Sequence, residues 1–113
     1  MNIKDFKLNE WLHIGDVGVD AGLIMVGDPC YCTGDPPANA WIKDWDEFCK
    51  HMLAPTNQIH GNTVCEIPFE GGDEGAGVAV SSGYGDGLYP VYAKFSDEDD
   101  WGIRIKELKV VFI

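Results

Sequence analysis

Apolar and polar positions in this chain change over in short stretches, and only one stretch repeats with helical spacing. Trp11-Leu12-His13-Ile14 and Val19 to Val26 are apolar runs punctuated by Gly15-Asp16 and Gly18, and they predict two strands that are candidates for a hairpin. Gly27 to Pro37 reads as turn and loop, because its Asp-Pro pairs bias the residue before each proline away from helix. Asn39 then caps a helix over Ala40 to about Leu53. Its apolar residues Trp41, Ile42, Trp45, Phe48, Cys49, Met52 and Leu53 fall at offsets of three and four and make one broad face, while Lys43, Asp44, Asp46, Glu47 and Lys50 lie outside it. Trp41, Trp45, Phe48 and Met52 are expected to be buried against a sheet, and Pro55 ends the helix.

Beyond a loop at Asn57 to Asn62, Thr63 to Phe69 is a strand in which Pro68 marks an edge or a bulge. Glu70 to Gly77 and Ser96 to Asp100 are acidic turns. Val78 to Ser81 and Leu88 to Phe95 read as paired strands around a glycine-rich turn, and Gly102 to Lys106 and Leu108 to Ile113 close the chain with β-branched residues. Many short strands and one helix predict a mainly β (α+β) class: a small antiparallel β-sandwich or part-closed barrel with one amphipathic helix packed on it. With 113 residues, no linker and no internal repeat, a single domain over 1–113 is expected.

Charge narrows the partners. Nineteen acidic against eight basic residues give a net charge of −11, and Arg104 is the one arginine. A nucleic-acid binder needs a basic stripe to displace counterions, and an anionic membrane surface needs the same, so neither partner is expected. No apolar run approaches a membrane span and the amino terminus lacks a signal-type apolar region, which predicts a cytoplasmic protein. In that compartment Cys30, Cys32, Cys49 and Cys65 are expected as reduced thiols, the last two in the core.

The candidate chemistry is sparse. The four cysteines lack the paired C-x2-C spacing of a structural zinc site, and the acidic turns lack the twelve-residue calcium loop, so no metal or other cofactor is expected. Cys30, Cys32 and Ser81 with His13, His51 and His60 form no local nucleophile–base signature, and His51 reads as structural. Asp28 and Asp86 lie in glycine-flanked turns, where they either act as an acid/base pair or cap their own turns. The strongest constellation is the turn Ser81-Ser82-Gly83-Tyr84-Gly85-Asp86-Gly87-Leu88-Tyr89. Backbone N–H groups of Gly83, Gly85 and Gly87 are suited to an anion nest, with Tyr84, Tyr89 or Trp101 to stack a ring and Arg104 among the nearest cations. Asp86, Asp28 and Tyr31 complete the candidate ligand-binding set.

The stretch Ser82-Gly83-Tyr84-Gly85-Asp86-Gly87-Leu88-Tyr89-Pro90-Val91-Tyr92 and the closing Ile103 to Phe112 run resemble small bacterial and phage-encoded proteins of an uncharacterised domain family, marked by Gly-Asp-Gly-x-Tyr-Pro-Val-Tyr. Val19 to Gly22 and Gly27-Asp28-Pro29-Cys30-Tyr31 look like its amino-terminal mark. The resemblance implies a prokaryotic or phage setting and carries no catalytic role. The expected function is non-enzymatic capture of a small nucleotide-like ligand, such as a signal of bacterial defence, by a homo-oligomer. The alternatives are a hydrolase of such a ligand, using Asp28, His60 or Asp86, and an acidic protein-interaction or structural phage protein.

Overall fold

A computed structural model of the chain describes residues 6–31, 45–69 and 71–113. Cys32, the capping Asn39, Trp41 and the predicted first turns of the helix lie outside them. The chain divides into two compact units, one of residues 6–20 with Gly83–Ile113 and one of the described residues within Ala21–Ser82.

The first unit is a three-stranded antiparallel sheet of β1 (Trp11–Val19), β6 (Gly87–Asp97) and β7 (Ile103–Val110), in the order β1-β6-β7. The predicted break at Gly15 is a bulge: Gly15 pairs with Val91 and His13 with Tyr92, which leaves Ile14 as the extra residue, and β1 continues to Val19. The two closing apolar runs are likewise one strand, with Lys106 as the extra residue between Ile105 opposite Phe95 and Glu107 opposite Lys94. Central β6 tolerates Pro90 for a geometric reason. A strand residue directs its N and O to the same neighbour. The Pro90 carbonyl accepts from Val111 N at 3.1 Å, so the missing N–H faces the outgoing tail and the β1 ladder is unbroken.

The second unit is a four-stranded antiparallel sheet, β2-β5-β4-β3, made of β2 (Leu23–Gly27), β3 (Gln58–Ile59), β4 (Asn62–Pro68) and β5 (Glu74–Ser81). The ladder between β4 and β5 shifts register at Pro68, where the proline predicts an edge or bulge. Helix α1 (Trp45–Leu53) lays Phe48 and Met52 on a core with Cys65, Ile67, Ala76 and Ala79. Pro55 follows its last turn. The Met52 carbonyl accepts from Gln58 Nε2 at 2.5 Å and Thr63 Oγ1 at 3.3 Å, and the His51 carbonyl from Asn57 Nδ2 at 2.7 Å, so side chains satisfy carbonyls left over at the helix end. His51 Nε2 lies 3.1 Å from the Glu66 carbonyl, an obligate acceptor, so in this contact that nitrogen is the donor.

The mainly β class with one amphipathic helix is as expected, and no closed barrel forms among the described residues. Several local expectations are corrected. The strands at Trp11 and Val19–Val26 do not pair with each other: β1 pairs with β6 and β2 with β5. Nor do β5 and β6 pair across the glycine turn, because β5 lies between β2 and β4 while β6 lies between β1 and β7. Asn57 to Asn62 is more ordered than a loop, since His60 (φ 48°) and Gly61 (φ 77°) make a two-residue turn joining β3 to β4. Trp45 is 57% exposed, stacked on Phe48 with ring centroids 5.3 Å apart, and Leu53 is also exposed, so the buried face of α1 is narrower than the apolar face.

One acidic contact has a readable pH signature. The neighbouring Glu74 carboxyl, by hydrogen bond and charge, raises Glu66 above its ordinary value of 4.5. The folded chain therefore holds that proton longer than the unfolded chain, and its stabilising effect is lost as pH rises through the raised value. Glu66→Gln is expected to raise the melting temperature at pH 7 and to leave it nearly unchanged at pH 4, which thermal melts at both values will check.

Candidate functional site

The carboxy-terminal tail packs against the glycine turn. Val111 bonds to Pro90, which brings Phe112 edge-on to Tyr89 with centroids 5.3 Å apart. Gly83 sits at φ +62°, and a Cβ there would lie 2.8 Å from the Phe112 Cβ. Tyr89 is buried, and its hydroxyl donates to the Gly85 carbonyl at 2.6 Å. Tyr89 thus supports the turn from beneath and offers no open ring face. Tyr89→Phe is expected to cost about 1 kcal/mol in urea unfolding, the value of one such hydrogen bond. Tyr84, 85% exposed, and Asp86, also exposed, stand at the tip, with Gly87 opening β6.

Trp101 and Arg104 lie at the other end of β6, where the chain turns into β7. Trp101 is exposed, and its carbonyl accepts from Arg104 Nε at 2.7 Å. An eleven-residue strand spans about 35 Å. One small ligand therefore cannot touch both Tyr84 and Trp101 within this unit. The acidic turn beside Trp101 is internally bonded, Ser96 Oγ to Glu98 at 2.8 Å and Asp99 N to Asp97 at 3.0 Å.

Asp28 and Tyr31 belong to the other unit. Asp28 Oδ1 accepts from Cys30 N at 3.0 Å, so the aspartate caps its own turn, and this bond lowers its pKa. Tyr31 follows in the short 3-10 turn Pro29–Tyr31 and packs edge-on to Phe69 at 4.8 Å. His60 occupies its hairpin turn and is exposed. Burial raises the Cys65 thiol, whose sulfur lies 3.5 Å from that of Met52, as suits a core residue. Among the described residues no three or more His, Cys, Asp or Glu side chains gather as a metal site, and no helix is long and apolar enough to cross a membrane.

A cluster that the sequence reading did not assemble lies on one face of the first sheet. Trp11 opposes Lys94, His13 opposes Tyr92, and across β6 Tyr92 opposes Lys109 and Lys94 opposes Glu107. Directly opposed residues of antiparallel strands share a face. The Lys94 ammonium lies 4.5 Å and the Lys109 ammonium 4.2 Å from the centroid of the Trp11 ring, and Lys109 is 5.4 Å from that of Tyr92. Lys94 also pairs with Glu107 at 3.3 Å. His13 packs on Tyr92 at 5.5 Å and its Nε2 meets Asp16 at 2.9 Å. Two of the chain's eight basic residues are thus gathered on one indole, with a second ring beside them. The signal for this face was the two-residue spacing of Trp11 with His13, Tyr92 with Lys94, and Glu107 with Lys109.

A family model described as a protein of unknown function, DUF4241, matches residues 7–101. No curated protein and no solved structure matches the chain.

Proposed function

The chain belongs to the DUF4241 family, and we propose that it captures a small nucleotide-like anion without turning it over. The observation that carries this reading is the convergence of Lys94 and Lys109 on Trp11 beside Tyr92. Both ammonium groups lie within 4.5 Å of the centroid of the same indole, so their positive charges add at this face and a bound phosphate is attracted to both. Aromatic faces next to them are suited to a base or other flat ring. In a chain of net charge −11 the rest of the surface repels anions, so this face favours a ligand that adds ring contact to charge. The hydrolase alternative draws less support: Asp28 caps its own turn, His60 occupies a hairpin turn, and the His13–Asp16 pair is a histidine–carboxylate contact with no nucleophile assigned to it. In the cytoplasm of a bacterial or phage-infected cell, a homo-oligomer of this kind would sequester a nucleotide signal.

The test is to incubate the protein with a defined ribonucleotide pool, re-isolate it and denature it by heat. Intact nucleotide released from the protein is expected, with the pool unchanged in composition. Calorimetric titration of the retained nucleotide against Trp11→Ala, Tyr92→Ala and Lys109→Ala should then show losses of about 1–3 kcal/mol per ring and a weaker salt dependence for the lysine variant. Converted nucleotide in the pool would make the protein a hydrolase, and no retained nucleotide would sink the capture reading. Tyr84→Ala tests the exposed tip of the glycine turn as a second place for the ligand. Loss of affinity there, with the sheet variants unaffected, would move the site to the turn.

A further inference from the structure

Strand β7 is an edge of its sheet, and residues Ile103 to Leu108 are all exposed. Ile103, Ile105 and Leu108 are 54%, 63% and 56% exposed. Such an edge presents unpaired backbone donors and acceptors together with apolar side chains, the usual template for adding another strand. The bulge at Lys106 decides which side chains lie together. Ile103, Ile105 and Leu108 oppose Asp97, Phe95 and Ala93, alternate residues of β6, and so share one face. Arg104 and Glu107 oppose Ser96 and Lys94 and share the other. In an unbulged strand Ile103 and Leu108 would point to opposite sides, because their separation is odd.

We infer that β7 pairs antiparallel with β7 of a second copy, about a two-fold axis between Ile105 and Lys106. That register sets Ile103 opposite the partner's Leu108 and Arg104 opposite the partner's Glu107, each contact occurring twice, as a two-fold interface requires. Apolar meets apolar on one face and opposite charges meet on the other. Arg104 spends Nε on the Trp101 carbonyl, which leaves its terminal nitrogens for the carboxylate, and Glu107 then lies between its own Lys94 and the partner's Arg104. Strand β6 has a ladder on both sides, so the edge is completed by the second copy into a continuous six-stranded sheet. The inference does not depend on what the protein binds.

Sedimentation velocity over a concentration series is expected to show a monomer–dimer equilibrium for the native chain. Arg104→Glu and Glu107→Arg should each be monomeric, because each places like charges opposite one another twice. Mixed in equal amounts, the two variants should form a heterodimer, since every opposed pair is then of opposite sign, and the double variant should dimerise by itself. Recovery on mixing also shows that both single variants are folded. A native chain that stays monomeric throughout the series, single variants that dimerise as the native chain does, or single variants that fail to combine would each overturn the β7 interface.

Discussion

Phe48→Ala is expected to destabilise the protein by about 3–5 kcal/mol, the range for emptying a buried phenylalanine site. Phe48 is 6% exposed and sits among Met52, Cys65, Ile67, Ala76 and Ala79, with Leu23, Met25 and Phe69 around them. Two of those neighbours are alanines, whose short side chains cannot move in to fill the space. The loss is a large share of the 5–15 kcal/mol that holds a typical domain folded. Trp45→Ala is the control: the tryptophan is larger, but its 57% exposure predicts a smaller loss than that of the buried Phe48 on which it stacks. Urea unfolding followed by circular dichroism reads both. A Phe48→Ala cost below 1 kcal/mol, or a larger cost for Trp45→Ala, would show that the helix does not rest on the sheet through Phe48.

Gly83→Ala is expected to cost about 2–4 kcal/mol, from the left-handed backbone and an overpacked contact together. At φ +62° any side chain is strained, and the new methyl would stand 2.8 Å from the Phe112 Cβ, close to the root of a side chain whose ring is held against Tyr89. Gly85→Ala meets backbone strain at φ +101° but has nothing within 4 Å of its new methyl, so it should be the milder change. Combining Gly83→Ala with Phe112→Ala should cost less than the two separate losses added together, because the clash is then gone. Equal losses at Gly83 and Gly85, or full additivity with Phe112→Ala, would remove the tail contact as the reason for a glycine at this position.

The legible parts of this protein are those decided by neighbours in sequence. The Phe48 and Met52 spacing, the stop at Pro55 and the irregularity at Pro68 depend on a few adjacent residues, and each has its expected form; of the two roles open to Asp28, the turn cap is also a local one and is formed. Strand partnership was not legible, because it depends on residues far apart. The glycine stretch looks like a hairpin turn from its composition, yet β5 and β6 on either side of it each have two other partners. The same gap hid the Trp11, Tyr92, Lys94 and Lys109 cluster. The alternation along each strand was visible, but the order β1-β6-β7 that sets the strands side by side was not. Tyr89 was ambiguous for another reason: aromatic residues beside glycines suit a ligand face and a buried prop equally well, and its burial was not visible in the sequence.

The order β1-β6-β7 also dictates how the chain must fold. Trp11 meets Lys94 across roughly eighty residues, and the whole Ala21–Ser82 unit lies between the two strands. Closing so long a loop is entropically costly before any contact rewards it, and such pairings form slowly. The ladders of the intervening unit and the β6–β7 hairpin link residues much nearer in sequence. The Ala21–Ser82 unit and the β6–β7 hairpin should therefore acquire protection from hydrogen exchange first, with β1 docking last. A chain emerging from the ribosome would hold β1 unpaired until β6 has been made, with Trp11 and the rest of that strand exposed to whatever binds nascent chains.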